Sequence, residues 1–258
     1  MGLALLDGWL DQGTPASSVA VVEPAEANAA QVRTRGVLTV ADLSPFGRSM
    51  AADVVVLAVK PQVIDTILPL YAPLAERGAA VLSIAAGKTS SALNRGLGGH
   101  AAVVRAMPNT PAAIRRGISV AYATPPVSAA QRKRCHELLA CVGSVLWVED
   151  ENLMDAVTAV SGSGPAYVFL LAECLARAGE EAGLPGETAV QLARETVAGA
   201  GALLARSPLP VEVLRANVTS PGGTTAAALS ILTADDGLQP ILTRAVAAAT
   251  KRAGELAG

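Results

Sequence analysis

The chain has 258 residues, of which 51% are hydrophobic and only 3% aromatic, so its core is predicted to consist mainly of Ala, Val and Leu. A chain of this length lies near the size at which one domain becomes two. Lys and Arg number 20 against 22 Asp and Glu, and this balance lacks the basic excess that binding to a phosphate backbone requires. We therefore expect no nucleic-acid partner.

Composition also indicates where the protein works. The longest apolar runs, such as residues 54–59, are far shorter than the roughly 20 residues of a membrane-spanning helix. No charged leader precedes an apolar stretch at the start. Cys135, Cys141 and Cys174 leave one cysteine unpaired in any disulfide scheme, which favours a reducing compartment. The sequence thus predicts a cytoplasmic protein without a membrane partner, and neither its cysteines nor its two histidines have the spacing of a metal site.

The first half of the sequence alternates predicted helices with predicted strands. Helices are predicted at residues 3–12, 24–35, 64–76, 90–97 and 128–141, and strands at residues 19–22, within 53–61, and at 80–84, 102–105, 118–122 and 145–148. The branched apolar run within 53–61 is typical of a strand buried on both faces of a parallel sheet. This alternation predicts βαβ units and an α/β fold with a doubly wound parallel sheet.

From Glu149 onward the pattern becomes helical. Helices are predicted at residues 153–159, 165–182, 185–207, 210–217, 224–234 and 238–257, and several begin with Pro and end with Gly. We predict an α/β domain at residues 1–149 and an all-α domain at residues 150–258. The long Ala- and Leu-rich helices of the second domain carry more apolar surface than a small bundle needs, which favours dimerisation.

Three short loops follow predicted strands in the first half: Lys60-Pro61, Ala85-Ala86-Gly87 and the run from Met107 to Pro111. In an open parallel sheet, ligands bind beyond the carboxyl ends of the strands. An ordinary connection between strand and helix explains each loop equally well by itself. Together the three loops indicate a cofactor cleft.

Two further loops combine glycines with hydroxyl side chains. Ser161-Gly162-Ser163-Gly164-Pro165 has the features of a hinge or a helix start, and it also permits the close approach of a ligand. The run from Asn217 to Thr225 precedes a predicted helix, whose free amides and dipole favour binding of a carboxylate. Two such loops in one helical region favour a substrate site over a pair of hinges.

The start of the chain carries part of a dinucleotide-binding pattern. Gly2 begins the first predicted helix, and Glu23, about 20 residues later, ends the next strand, where an acidic side chain would bind a ribose 2′-hydroxyl. That placement favours NAD over NADP, although a lone Glu before Pro is equally common at a strand end. The pattern also requires a strand and glycines ahead of the helix, whereas this sequence begins directly with the helix.

Five motifs in the same order identify a family resemblance. They are Ala58-Val59-Lys60-Pro61, Ala85-Ala86-Gly87, Met107-Pro108-Asn109-Thr110-Pro111, the run from Asp155 to Tyr167, and Ser220-Pro221-Gly222-Gly223-Thr224. Spread over nearly the whole chain, they closely resemble the pyrroline-5-carboxylate reductases, which catalyse the last step of proline biosynthesis.

The resemblance implies a Rossmann domain followed by a helical domain that forms an intertwined homodimer, often assembled into a ring of dimers. It also implies that NADPH or NADH delivers hydride to the imine carbon of 1-pyrroline-5-carboxylate and gives L-proline. Cofactor contacts are predicted at Gly2, Glu23, Ala58, Val59, Lys60, Pro61, Ile84, Ala85, Ala86 and Asn109. Substrate contacts are predicted at Glu151, Ser161, Ser163, Gly164, Asn217, Gly222, Gly223, Thr224 and Thr225.

Thr225 is also the predicted catalytic residue, as a hydroxyl donor near the ring nitrogen. Its structural alternative is to cap the helix that starts there. The imine carbon is already electrophilic when protonated, so the protein mainly has to position the hydride donor and acceptor and hold the carboxylate.

The start of the chain departs from the family pattern. The family begins with a strand and a Gly-x-Gly turn before the helix that here starts at Met1-Gly2, so roughly ten residues are absent by the spacing of the motif. We expect a natural chain that starts upstream, and a sheet that lacks a central strand and exposes neighbouring edges. A native mass equal to 26.0 kDa would contradict this expectation.

Two alternative functions remain. A β-hydroxyacid dehydrogenase-like reductase shares the layout but ordinarily uses a lysine of the helical domain, and here that half of the chain holds only Lys251. The second alternative is a degenerate homologue that oligomerises without binding a cofactor. Oxidation of a nicotinamide cofactor with pyrroline-5-carboxylate distinguishes these functions from the reductase.

Overall fold

A computed structural model describes residues 1–49 and 51–257 and divides the chain into two units. The first unit comprises Met1–Gly162 together with Thr250–Gly258, and the second comprises Ser163–Ala249. The first unit contains strands and helices, and the second is helical.

The strands and most of the short helices lie in the first unit. The strands are β1 (Ala20–Val22), β2 (Leu38–Val40), β3 (Val54–Leu57), β4 (Ala80–Ser83), β5 (Ala102–Pro108), β6 (Gly117–Ala123) and β7 (Gly143–Val148). The helices are α1 (Gly2–Asp11), α2 (Glu26–Arg33), α3 (Pro61–Glu76), α4 (Ser90–Gly96), α5 (Ala129–Ala140) and α6 (Met154–Val157). Short 3₁₀ turns lie at Ala16–Ser18, Ser44–Ser49, Thr110–Ile114 and Glu151–Leu153, and a π-helical turn lies at Thr158–Gly162.

The sheet of five strands has the order β3-β4-β5-β6-β7, and all its neighbours are parallel except β5 and β6. The prediction of a parallel sheet was therefore wrong for this one pair. The reason is the short connection at residues 109–116, because a parallel crossover needs a dozen or more residues. The sheet remains predominantly parallel.

The core of the first unit lies on both faces of this sheet. In β4, Val81 packs into one cluster with Ile64 and Leu93, whereas Leu82 packs into the opposite cluster with Leu139. Alternate residues of a strand point to opposite faces, so a strand that is apolar at every position fills two layers. The helix–sheet–helix layering confirms the predicted α/β fold.

β1 and β2 form a separate parallel pair, and the prediction missed β2. This strand is three residues long and its Leu38 side chain is 55% exposed, so its pattern is too short to identify it. Helix α1 links the pair to the larger sheet, because Leu5 packs in the larger core while Leu6 packs with the β1–β2 side. Among the residues described, no strand pairing joins the two sheets.

The second unit contains α7 (Gly164–Glu181), α8 (Gly186–Arg206), α9 (Val211–Asn217), α10 (Thr224–Leu232) and the first part of α11 (Leu238–Ala257). Helices α7 and α8 pack through small residues, with Ala176, Ala189 and Ala193 buried and Gly179 against Ala189. Large apolar side chains point outward in the single chain, and Phe169 is 63% exposed. These helices begin and end within two residues of their predicted bounds.

The helix predicted at residues 153–159 has a different form. It is α-helical only at Met154–Val157 and continues as the π-helical turn Thr158–Gly162. A Cβ atom on Gly162 would overlap the side-chain end of Met107, which belongs to β5. A side chain at this position would have to displace the flexible end of Met107.

Candidate active site

The start of α1 meets the carboxyl end of β3. A Cβ atom on Gly2 would lie 3.2 Å from the Cβ atom of Ala58, so the first turn of α1 lies against the residue that follows β3. The amide of Ile84 donates to the carbonyl oxygen of Leu57 at 3.1 Å, which places the end of β4 beside the same point. Gly2, Ala58 and Ile84 are therefore brought together.

The neighbouring loops leave this edge of the sheet open. Ala58, Val59 and Lys60 are exposed, and Pro61 occupies the first turn of α3, where its missing N–H costs no hydrogen bond. After β4, Ala85 is buried and its amide donates to the Ser83 hydroxyl at a long 3.4 Å. Ala86 is half-buried and follows at the same edge.

Asn109 is tied to the protein itself. Its Oδ1 accepts a hydrogen bond from the amide of Ile118 at 2.9 Å, which fixes the connection between β5 and β6. Met107 and Pro108 belong to β5, which extends three residues beyond its predicted end. The Nδ2 group of Asn109 makes no hydrogen bond to the residues that the structure describes.

A second pair of strand ends carries two carboxylates. Glu23 follows β1, and its Oε1 accepts from the amide of Ala25 at 2.9 Å. Asp42 follows β2 and accepts hydrogen bonds from the hydroxyl and the amide of Ser44, which hold the pKa of Asp42 below its usual value. Negative charge therefore lies at the carboxyl ends of both strands.

A buried ionic cluster lies behind the loop that follows β4. Arg105 in β5 is 4% exposed, and its Nη1 donates to Oε1 of Glu151 at 3.1 Å, while Nη2 lies 3.9 Å from Oδ1 of Asp155. Glu151 also accepts from the amide of Ser90 at 2.6 Å and from its hydroxyl at 2.5 Å. The sequence interpretation missed Arg105, although a lone charge inside an apolar strand is the signal that would have found it.

The π-helical turn carries a buried hydroxyl. Oγ of Ser161 is buried and has no hydrogen-bond partner among the residues described. Buried polar groups are ordinarily paired, and π-helical turns are frequent at functional sites. Ser161 is thus the predicted substrate residue of the first unit whose buried hydroxyl has no partner among the residues described.

The remaining predicted substrate residues lie in the second unit. Ser163 precedes α7 without capping it, and a Cβ atom on Gly164 would have open space within 4 Å. The other residues lie at or beside the connection between α9 and α10. Asn217 ends α9, Gly222 and Gly223 lie in the connection, and Thr224 and Thr225 begin α10.

The turn before α10 presents its hydroxyls without using them as caps. Gly222 has φ of 69°, which a glycine adopts without strain, and the amide of Gly223 donates to the carbonyl of Ser220 at 3.0 Å. Gly223 is the N-cap residue, and no side chain caps the helix. Capping, the structural alternative for Thr225, is therefore not what its hydroxyl does.

A cleft of about 400 Å³ lies on α1 and contains none of the predicted site residues. Its charged side chains are paired with each other, Arg35 with Asp7 and Arg115 with Asp11. The hydrogen bond from Arg35 lowers the pKa of Asp7. Because these groups satisfy one another, the strand ends remain the better candidate site.

Two family descriptions match the sequence. "Pyrroline-5-carboxylate reductase dimerisation" matches residues 151–256, and "NADP oxidoreductase coenzyme F420-dependent" matches residues 1–87. The pyrroline-5-carboxylate reductase of Pseudomonas aeruginosa is 42% identical over 257 residues, which are 100% of this chain and 93% of that protein. That of Synechocystis is 43% identical over 216 residues, 83% of this chain and 79% of that protein.

Solved structures agree with these relatives. A pyrroline-5-carboxylate reductase from Coxiella burnetii has a TM-score of 0.92 at 34% identity and covers 100% of this chain and 95% of its own. Plasmodium falciparum pyrroline carboxylate reductase, with NADP bound, has a TM-score of 0.82 at 27% identity, with coverages of 100% and 95%. Fold and site thus define a nicotinamide-dinucleotide-dependent oxidoreductase with a helical dimerisation domain.

Within that class, the chain belongs to the pyrroline-5-carboxylate reductase family. Membership confirms the resemblance identified from the five sequence motifs. It also confirms the predicted reductase activity in proline biosynthesis and the NAD(P)H cofactor.

Proposed function

We propose that this chain reduces the C=N bond of 1-pyrroline-5-carboxylate to give L-proline, with NADH or NADPH as the hydride donor. The observation that carries the proposal is the junction of Gly2, Ala58 and Ile84 at the carboxyl ends of β3 and β4. Ligands of doubly wound sheets bind at this edge. The relatives that match this chain over nearly its whole length are named for the same reaction.

The residues at this edge fit a dinucleotide. The first backbone amides of α1 are not capped by the N-cap side chain, and helix N-termini stabilise phosphate charge. Glu23 would bind a ribose hydroxyl, and Asn109 would offer its Nδ2 group. The nicotinamide end would lie against Ala58, Val59, Lys60, Pro61, Ile84, Ala85 and Ala86. When bound, the cofactor supplies the hydride, and these residues orient it.

The substrate would be held by hydroxyls and backbone amides. The unpartnered Oγ of Ser161 supports a substrate contact in the first unit. In the second unit, the amides and hydroxyls that start α10 favour a carboxylate, and Thr225 would donate to the ring nitrogen. Further contacts are proposed at Glu151, Ser163, Gly164, Asn217, Gly222, Gly223 and Thr224.

We propose a boundary between cofactor and substrate domains at residues 149 and 150, whereas the two compact units divide at Gly162 and Ser163. The dimerisation description, which begins at residue 151, supports this boundary. The change from β7 to a helical pattern after Val148 supports it as well.

The exposed apolar helices are assigned to assembly of a homodimer, or of a ring of dimers, in the cytoplasm. By length and composition the helical stretch Glu151–Glu181 is also apolar enough to cross a membrane. It lies within the segment that matches the dimerisation description, so a second copy of the chain is the better occupant of this surface. Light scattering without detergent should give an even number of protomers, and neither membranes nor nucleic acid are expected to bind.

Substitution of Thr225 tests the catalytic proposal. Thr225→Val should lower kcat by roughly 100-fold if the hydroxyl assists protonation, whereas Thr225→Ser should retain most of the rate. Thr233→Val is the control, because that hydroxyl bonds the carbonyl of Leu229 at the end of the same helix. A Thr225→Val enzyme within twofold of wild type would contradict the role.

Ser161→Ala separates a substrate contact from a structural residue. Removing an unpaired buried hydroxyl should raise the free energy of unfolding by about 1 kcal/mol, while loss of a substrate contact raises KM. An unchanged KM would remove Ser161 from the site. A folded dimer that neither binds NADH or NADPH nor turns over substrate would favour the degenerate-homologue alternative.

A further inference from the structure

The carboxylate of Glu151 is already occupied within the first unit. Its Oε1 accepts from the amide of Ser90 at 2.6 Å and from Arg105 at 3.1 Å, and its Oε2 accepts from the Ser90 hydroxyl at 2.5 Å. Both bonds to Ser90 are short, and hydrogen bonds to a charged group are the stronger kind in proteins. A carboxylate whose oxygens are occupied in this way has a structural role rather than a role in binding the substrate.

Arg105 explains why the anchor lies at this position. It occupies β5 with 4% exposure, and an unpaired guanidinium there would be strongly destabilising. Glu151 and Asp155 supply the opposite charges, at 3.1 and 3.9 Å. The planar guanidinium contacts both carboxylates at once, so the sheet fixes the direction of Glu151.

The loop after β4 is held at both ends by neighbours of Arg105. Before the loop, Ser83 is the strand partner of Arg105 in the β4–β5 ladder. After the loop, Ser90 begins α4 and binds Glu151 through two hydrogen bonds. Within the loop, the bond from Ala85 to Ser83 is long at 3.4 Å, and Gly87 has φ of 71°. Lys88 also donates to Asp65 at 2.7 Å and Gly87 lies against Leu256, so Ser90 is the attachment that joins the loop to Glu151 and the buried Arg105.

We propose that Arg105 and Glu151 form a positioning clamp, which holds the loop 84–89 in the shape that receives the nicotinamide end of the cofactor. Glu151 acts on the cofactor through Ser90 and does not bind the substrate. This inference rests on the proposed function for the identity of the ligand, and it replaces the substrate contact proposed at Glu151.

The test compares Glu151→Gln with Glu149→Gln, an identical change at a side chain that is 82% exposed and pairs with Arg132. Three quantities are measured. Hydrogen exchange of residues 84–92 is followed without ligand, the Kd values of NADH and NADPH are obtained from nucleotide fluorescence, and KM is determined for pyrroline-5-carboxylate. Glu151→Gln should accelerate exchange and raise Kd by about tenfold, with KM for the substrate within twofold. Glu149→Gln should change none of the three.

Ser90→Ala keeps the buried ion pair and removes one hydrogen bond, so it tests the clamp even where Glu151→Gln folds poorly. Ser90→Ala should accelerate hydrogen exchange of residues 84–92 and raise the Kd of NADH and NADPH, each by a smaller factor than Glu151→Gln does. A raised substrate KM in Glu151→Gln with unchanged exchange and Kd would overturn the clamp. A wild-type protein that binds cofactor without reducing pyrroline-5-carboxylate would refute the proposed function, while exchange and Kd would still decide the clamp.

Discussion

Replacing Glu23 by Gln should shift the cofactor preference toward NADPH. Glu23 and Asp42 place two carboxylates at the ends of β1 and β2, where a doubly wound fold binds the adenosine ribose. Residues 20–32 and 37–46 contain no Lys or Arg, and of the flanking arginines Arg33, Arg35 and Arg48, the first two pair with Glu26 and Asp7. The wild-type protein is therefore expected to bind NADH more tightly than NADPH.

The magnitude follows from the charges. A 2′-phosphate carries about −1.5 to −2 charge, and each unit pair about 4 Å apart costs about 1 kcal/mol in water and more near a protein surface. Glu23 is half-exposed, so a penalty of roughly 1–2 kcal/mol is expected from this side chain. This corresponds to about five- to thirtyfold in Kd.

Fluorescence titration of NADH and NADPH gives the Kd ratio directly. In Glu23→Gln, the Kd of NADPH divided by the Kd of NADH should fall by about five- to thirtyfold. This change should be smaller at high salt, because exposed charges are screened. Glu76→Gln is the control, because Glu76 ends α3 and lies away from the strand ends. The reasoning is refuted if wild type binds NADPH as tightly as NADH and Glu23→Gln leaves the ratio unchanged.

Three further measurements test the fold. Gly143 has φ of 144°, and a Cβ atom there would overlap the carbonyl of Gly117. Gly143→Ala should therefore lower the free energy of unfolding, measured by denaturant titration, by more than about 2 kcal/mol. A smaller loss would mean that the start of β7 relaxes. Arg35 lowers the pKa of Asp7, so this exposed ion pair stabilises the fold above the pKa that Asp7 has in the unfolded chain. The stabilisation is lost as the pH falls through the pKa that Asp7 has in the folded protein. A double-mutant cycle should give a coupling energy of no more than about 1 kcal/mol at pH 7 and none below about pH 2. Burial raises the pKa of Cys135 to about 11, so mass mapping should find this thiol unalkylated at pH 8 until the protein unfolds; native labelling would contradict the burial.

Local patterns predicted most of the elements, because each helix and strand carries its own signal. Amphipathic spacing with proline and glycine at the ends placed α7 and α8 within two residues. β2 was missed because three residues with an exposed leucine have no periodicity to measure. The antiparallel pairing of β5 and β6 depends on the length of the connection, which the pattern of elements did not include.

The candidate site was predictable only where a motif carries it. The loops after β3 and β4 were predicted because small residues and prolines follow each strand in sequence. The clamp was not predicted, because Arg105 and Glu151 are 46 residues apart in sequence and their contact depends on tertiary packing. The family resemblance assigns Glu151 to the substrate but does not say whether its carboxylate faces a ligand or another side chain.

The division of the strands into two sheets has a consequence for handling the protein. β3 is the end strand of the larger sheet, and its run Val54–Leu57 contains no charge, proline or bulge to discourage pairing with a foreign strand. Strand addition at this edge would compete with correct folding whenever partly folded chains are concentrated. Refolding yield should therefore fall as the protein concentration is raised.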